Sequence, residues 1–123
     1  MKILHLVLIG KWYDMIASGE KTEEYRDLTP YWCNRLVQKY GVKFWKGIFE
    51  NNPIDTLRDK RNLGIPKGFG NYVVRDYDAV CFHRGYTNTT MTFEYYRLDL
   101  DKGKEEWGAP KEPVFIIKLG KRL

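Results

Sequence analysis

The chain is poor in cysteine and histidine: Cys33, Cys81, His5 and His83 are all there are in 123 residues. Two cysteines are too few for the disulfide-dense scaffold of a small secreted domain, and none of these residues recurs at the short spacings of a zinc module. The expectation is two free thiols that act as small core hydrophobes, with no metal and no cofactor. Cys33 or Cys81 with a distant histidine would also make a nucleophilic pair, a pattern that arises easily by chance. Long apolar runs are missing too. Ile3–Ile9 is well short of the ~20 residues of a membrane span. It runs into Gly10, Lys11 and Trp12 without the small-residue site at which a leader is cut. No membrane association and a cytoplasmic location are therefore expected. There is no internal repeat and no low-complexity tract.

Apolar and charged residues are both plentiful. Hydrophobic residues make up 43% of the chain, a share ample for a core, and the 30% that are charged suit a well-solvated exterior. Residues 1–123 fit one domain. The net charge is +5, and it is concentrated. Between Arg35 and Arg75 stand nine cations, Lys60, Arg61 and Lys67 among them, against only Glu50, Asp55 and Asp59. Tyr40, Phe44, Trp45, Phe49, Phe69 and Tyr72 are interleaved with them. Such a mixture offers phosphate neutralisation together with flat surfaces for stacking bases, so RNA or a nucleotide is the expected partner. A solvated helical face over core aromatics has the same composition.

The periodicities predict an α+β domain. Lys2–Ile9 reads as a strand covered on both faces, with His5 buried and hydrogen-bonded. Trp12, Met15 and Ile16 predict a short helix over about Lys11–Ser18, ended by a left-handed Gly19. Thr29 and Pro30 are a cap and first residue for a second helix carrying Trp32, Leu36, Val37 and Tyr40 on one face, with Gly41 as its stop. Val42–Asn52 leans towards helix. Leu57–Asn71, with Gly64, Pro66, Gly68 and Gly70, reads as a basic loop or insertion that lacks the Lys-Ser ending of a P-loop. Tyr77–Arg84 reads as a buried strand. Met91, Phe93 and Tyr95 alternate before Leu98 and Leu100 take the opposite phase, which calls for a bulge near Tyr96. Val114–Leu119 is the last strand. A small curved sheet or barrel with two or three flanking helices accommodates all of this.

One segment fits no ordinary pattern. In Gly19-Glu20-Lys21-Thr22-Glu23-Glu24-Tyr25-Arg26, a strand over Thr22–Asp27 would put Glu24 and Arg26 on one face and Glu23 and Tyr25 on the other. Neither face is apolar, so the strand is either a charged sheet edge or the wall of a polar cleft. The run Gly19-x-Lys21-x-x-Glu24-x-Arg26, following a strand and a short helix, resembles the signature of ASCH domains, relatives of the PUA RNA-binding domain. His83-Arg84-Gly85-Tyr86, Trp107-Gly108-Ala109 and Val114–Gly120 are similar to later landmarks of that family, whereas 42–71 has no counterpart in it. The resemblance implies a PUA-like β-barrel whose cleft beside the signature takes RNA or nucleotides.

In that reading Lys21 is a flexible cation for a phosphate, and Arg26 is a planar fork for a phosphate or for Glu24. Glu24 reads a base amine. Tyr25, Arg84 and Tyr86 add a cation and stacking rings, with Trp12 and Trp107 as further aromatics. Catalysis is the alternative. Some single-domain ASCH relatives hydrolyse N4-acetylcytidine through a lysine at the position matched by Lys21 and a threonine three residues on, and others cut RNA. Here Glu24 fills the threonine position, and a carboxylate is not a nucleophile of that kind. Lys21 and Glu24 are the catalytic candidates, Glu105 or Glu106 would supply a late acid, and for RNA cleavage Lys21 with a tyrosine or serine would suffice. A third reading is a protein-interaction domain whose charged strand is only an edge.

Overall fold

β1 (Ile3–Leu8) shows why the sheet has an inside and an outside: Leu4, Leu6 and Leu8 are buried while Ile3, His5 and Val7 face outwards. The second face is not buried as expected: Ile3 and Val7 are exposed, and so is His5, which was expected to be buried. The reason is position, since β1 is an edge strand with α1 (Gly10–Ala17) and the core on one side only. The computed structural model describes residues 1–36, 75 and 77–123. The expected helix over Val42–Asn52 and the loop Leu57–Asn71, with Lys60, Arg61 and Lys67, lie outside the described residues.

The remaining elements are β2 (Glu23–Arg26), α2 (Pro30–Leu36), β3 (Ala79–Arg84), β4 (Thr90–Asp101), a 3-10 turn at Glu105–Trp107 and β5 (Val114–Arg122). The strand order is β1-β3-β4-β5-β2, with β1 parallel to β3 and the other pairs antiparallel. Thr29 caps α2 as expected, its hydroxyl accepting the Trp32 N–H at 3.3 Å and its carbonyl the Cys33 N–H at 2.9 Å. β4 is a single strand whose register slips on both sides of Tyr95, which accounts for the phase change between Met91 and Leu98.

The five strands curl into a half-barrel around Leu4, Leu6, Ile16, Leu36, Phe82, Phe115 and Ile117, with the two helices beside it. Each such side chain contributes about 1.5–3 kcal/mol on burial. A smaller cluster of Tyr25, Ala109, Val114 and Ile116 lies on the other face of β2 and β5. The curl brings the two edge strands near each other, and Arg26 of β2 spans the gap, donating from Nη2 to the Val7 carbonyl of β1 at 3.3 Å. Among the described residues no helix is long and apolar enough to cross a membrane.

Candidate functional site

The turn after α1 sets the position of Lys21. Gly19 adopts φ +88°, which an L side chain resists, and the chain swings back so that the Lys21 N–H donates to the Met15 carbonyl at 3.0 Å. From there the side chain runs inwards. Its Nζ donates to Glu24 Oε1 at 2.8 Å and to the Trp107 carbonyl at 2.6 Å, and lies 4.7 Å from the centre of the Trp12 ring and 5.2 Å from that of Tyr25. Only 2% of Lys21 is exposed. The flexible cation expected from the sequence is instead an anchored, buried one, because Trp12, Tyr25 and the 3-10 turn close over it.

Glu24 is the hub. Its Oε1 accepts from Lys21 and, at 3.0 Å, from the Tyr25 N–H, while Oε2 accepts from Arg26 Nη1 at 2.8 Å. Arg26 also donates from Nη1 to the Tyr25 carbonyl at 2.7 Å, and its guanidinium lies over the Trp32 ring at 5.1 Å. Glu24 and Arg26 stand opposite Ile117 and Phe115 of β5, so this ionic row borders the main core. Taking charges out of water costs several kcal/mol per ion before pairing offsets it, so such a row is weak evidence of a purely stabilising purpose.

The outer face of β2 carries a second polar set. Glu23 accepts from Lys118 Nζ at 2.8 Å through Oε1 and from the Tyr25 hydroxyl at 2.7 Å through Oε2, and that hydroxyl in turn accepts the Lys104 N–H at 3.1 Å. Burial and the carboxylate of Glu23 push the Tyr25 phenol well above its ordinary value, so it remains a donor. β2 is thus a charged edge with buried side chains on both faces, an outcome that combines the two alternatives open at the level of sequence.

Among the described residues Trp12, Trp32 and Trp107 are half-buried, and each has a cation over its ring. Lys11 sits 4.6 Å from Trp12, Lys104 4.1 Å from Trp107, and Arg26 covers Trp32 as described. Lys21, Glu24 and Arg26 are therefore brought together, Glu24 and Arg26 on one face as the spacing suggested, while Tyr25, on the other face of β2, meets the Lys21 ammonium with its ring. Arg84 and Tyr86 are not part of that group. Arg84 spends its fork on Asp14, with Nε and Nη2 each 3.1 Å from a carboxylate oxygen, and holds that carboxyl below its ordinary value. Tyr86 is fully exposed in the turn after β3. Glu105 and Glu106 are exposed too, and the 3-10 turn contributes the Trp107 carbonyl to the site instead. Lys104 and Lys118 escaped the sequence reading. The one signal for Lys118 was its place in β5, where alternation from Ile116 puts it on the outer face opposite Glu23. Searches against family models, curated proteins and solved structures find no match to this chain.

Proposed function

We propose that this chain binds RNA or a nucleotide at the Lys21–Glu24–Arg26 site, on a PUA-like half-barrel of the kind the ASCH resemblance implies. The observation that carries the reading is the charge balance of the buried row. Two cations share one carboxylate, leaving a surplus positive charge whose partly exposed end is Arg26, with its side chain 17% exposed. A phosphate is the ligand that completes that balance, and Arg26 is the planar donor to receive it. Trp12, Trp32 and Trp107 supply aromatic rings for bases, and Lys11 and Lys104, mobile cations that lie over two of those rings, can swing off them to meet phosphates. Both oxygens of Glu24 are already engaged, which suits a fixed positioning role and not attack on an amide.

Titration of short single-stranded RNAs and of nucleoside monophosphates, followed by tryptophan fluorescence, tests this. Affinity should fall steeply between ~50 and ~200 mM salt, with a log–log slope of about −0.7 per phosphate contacted. The Lys11→Ala/Lys104→Ala double variant should reduce that slope by about 1–2 while the fold is kept. Binding insensitive to salt, or unchanged in the double variant, would be evidence against the reading. Acetate release from N4-acetylcytidine by the wild type would replace it with the hydrolase.

A further inference from the structure

Outside that site, the parallel pairing of β1 with β3 gathers the residues that looked scattered in the sequence. His5 lies opposite Cys81 in the register, and His83 is two residues further along the same face. The three donor atoms, His5 Nδ1, Cys81 Sγ and His83 Nε2, all lie within 4.8 Å of one another. Nδ1 and Nε2 are 3.0 Å apart, and Sγ is 3.8 Å from Nε2. We propose that His5, Cys81 and His83 form a binding site for one zinc-like transition-metal ion, with a fourth coordination position left open.

The geometry fits such an ion. With metal–nitrogen bonds of about 2.0–2.1 Å and a metal–sulfur bond of about 2.3 Å, a tetrahedral centre sets its nitrogens about 3.3 Å apart and nitrogen from sulfur about 3.6 Å. The two separations from His83 Nε2 are within a few tenths of an ångström of those values, and the third, between His5 Nδ1 and Cys81 Sγ, is at most 4.8 Å, so closing it to about 3.6 Å is a movement of the exposed His5 ring by up to about 1 Å. The chemistry fits as well. Two imidazoles and a thiolate select zinc or copper over magnesium and calcium, which prefer oxygen. The imidazoles now share one hydrogen along the 3.0 Å contact. On binding, that hydrogen moves to the donor ring's other nitrogen, leaving both lone pairs for the metal, and the Cys81 thiol releases its proton to solvent. Cys81 is almost wholly buried, His83 half-buried and His5 exposed, so the ion would be seated on the sheet with its open side towards solvent. This site stands independently of the RNA reading, and it departs from the metal-free expectation because sequence spacing says nothing about partners across a parallel pair.

Cobalt(II), a spectroscopic stand-in for zinc, is the probe for the purified reduced protein. One equivalent should produce the thiolate-to-cobalt charge-transfer band together with the intense visible bands of a four-coordinate centre, and zinc should displace both. Cys81→Ser should lose the charge-transfer band. His5→Ala, a change at an exposed position, should keep the wild-type circular dichroism while weakening zinc binding by about 100-fold or more, beyond what loss of a supporting hydrogen bond produces. Zinc should also protect Cys81 from alkylation in the wild type and not in His5→Ala. The proposal is overturned if the wild type gives no thiolate band, if that band persists in Cys81→Ser, or if His5→Ala binds zinc as tightly as the wild type.

Discussion

Lys21 is the residue on which the inside of the site depends. Its side chain is 1% exposed and that of Glu24 is 5% exposed, so Lys21→Met keeps the volume but leaves the carboxylate with Arg26 as its remaining cation. Removing one partner of a buried pair costs about 3–5 kcal/mol, and urea unfolding should show a loss of that order. Adding Glu24→Gln to Lys21→Met should cost less than the two single changes combined, since the two residues are coupled. A loss under about 1 kcal/mol in Lys21→Met would mean that water reaches the pair. Cys33 gives a prediction of a different sort. It is fully buried, and burial pushes its thiol from an ordinary 9.0 up to about 12. The neutral thiol is the form that the fold accommodates, so its contribution is complete below pH 9.0 and is lost as pH rises towards 12. Thermal midpoints measured across that range should fall for the wild type and fall less for Cys33→Ala. At this scale the sequence announced that Lys21, Glu24 and Arg26 meet, and it left their burial unread: one of the closing groups, Trp107, arrives from 86 residues away.

At the scale of elements, the turns are what aim the side chains. Gly108, after the 3-10 turn, has φ +95°, and a Cβ there would come within 2.9 Å of the Trp12 ring. Gly108→Ala therefore meets both a backbone penalty of about 1–2 kcal/mol and a steric one. The variant should be destabilised by more than that backbone penalty and should show altered Trp12 fluorescence, whereas an unchanged emission spectrum would mean that the ring is free to move aside. Local signals of this type were readable in advance. Gly19 as a left-handed stop, Thr29 as a cap and the slip near Tyr95 all follow from rules that operate within a few residues. The environment of β1 does not follow from such rules. A run such as Ile3–Ile9 looks alike whether one face or two are covered, and only the strand order shows that His5 lies on an open face beside Cys81 and His83.

Across the whole molecule, β5 ties the architecture together. It pairs with both β4 and β2 and places the fully buried Phe115 and Ile117 in the core. Deleting residues 114–123 should abolish cooperative unfolding, seen as a shallow denaturant profile without a midpoint; a sharp transition near the wild-type midpoint would show that the other elements fold alone. The long range of these pairings also has a meaning in time. Glu23 and its partner Lys118 are 95 residues apart, and at about 5–20 residues per second β2 waits about 5–20 s during synthesis for the strand it will join. A waiting strand with an apolar face is prone to pair wrongly with other chains. β2 offers them Glu23, Glu24 and Arg26, which cost free energy to strip of water, so the charges that later meet in the interior are also expected to disfavour mispairing of the unfinished chain.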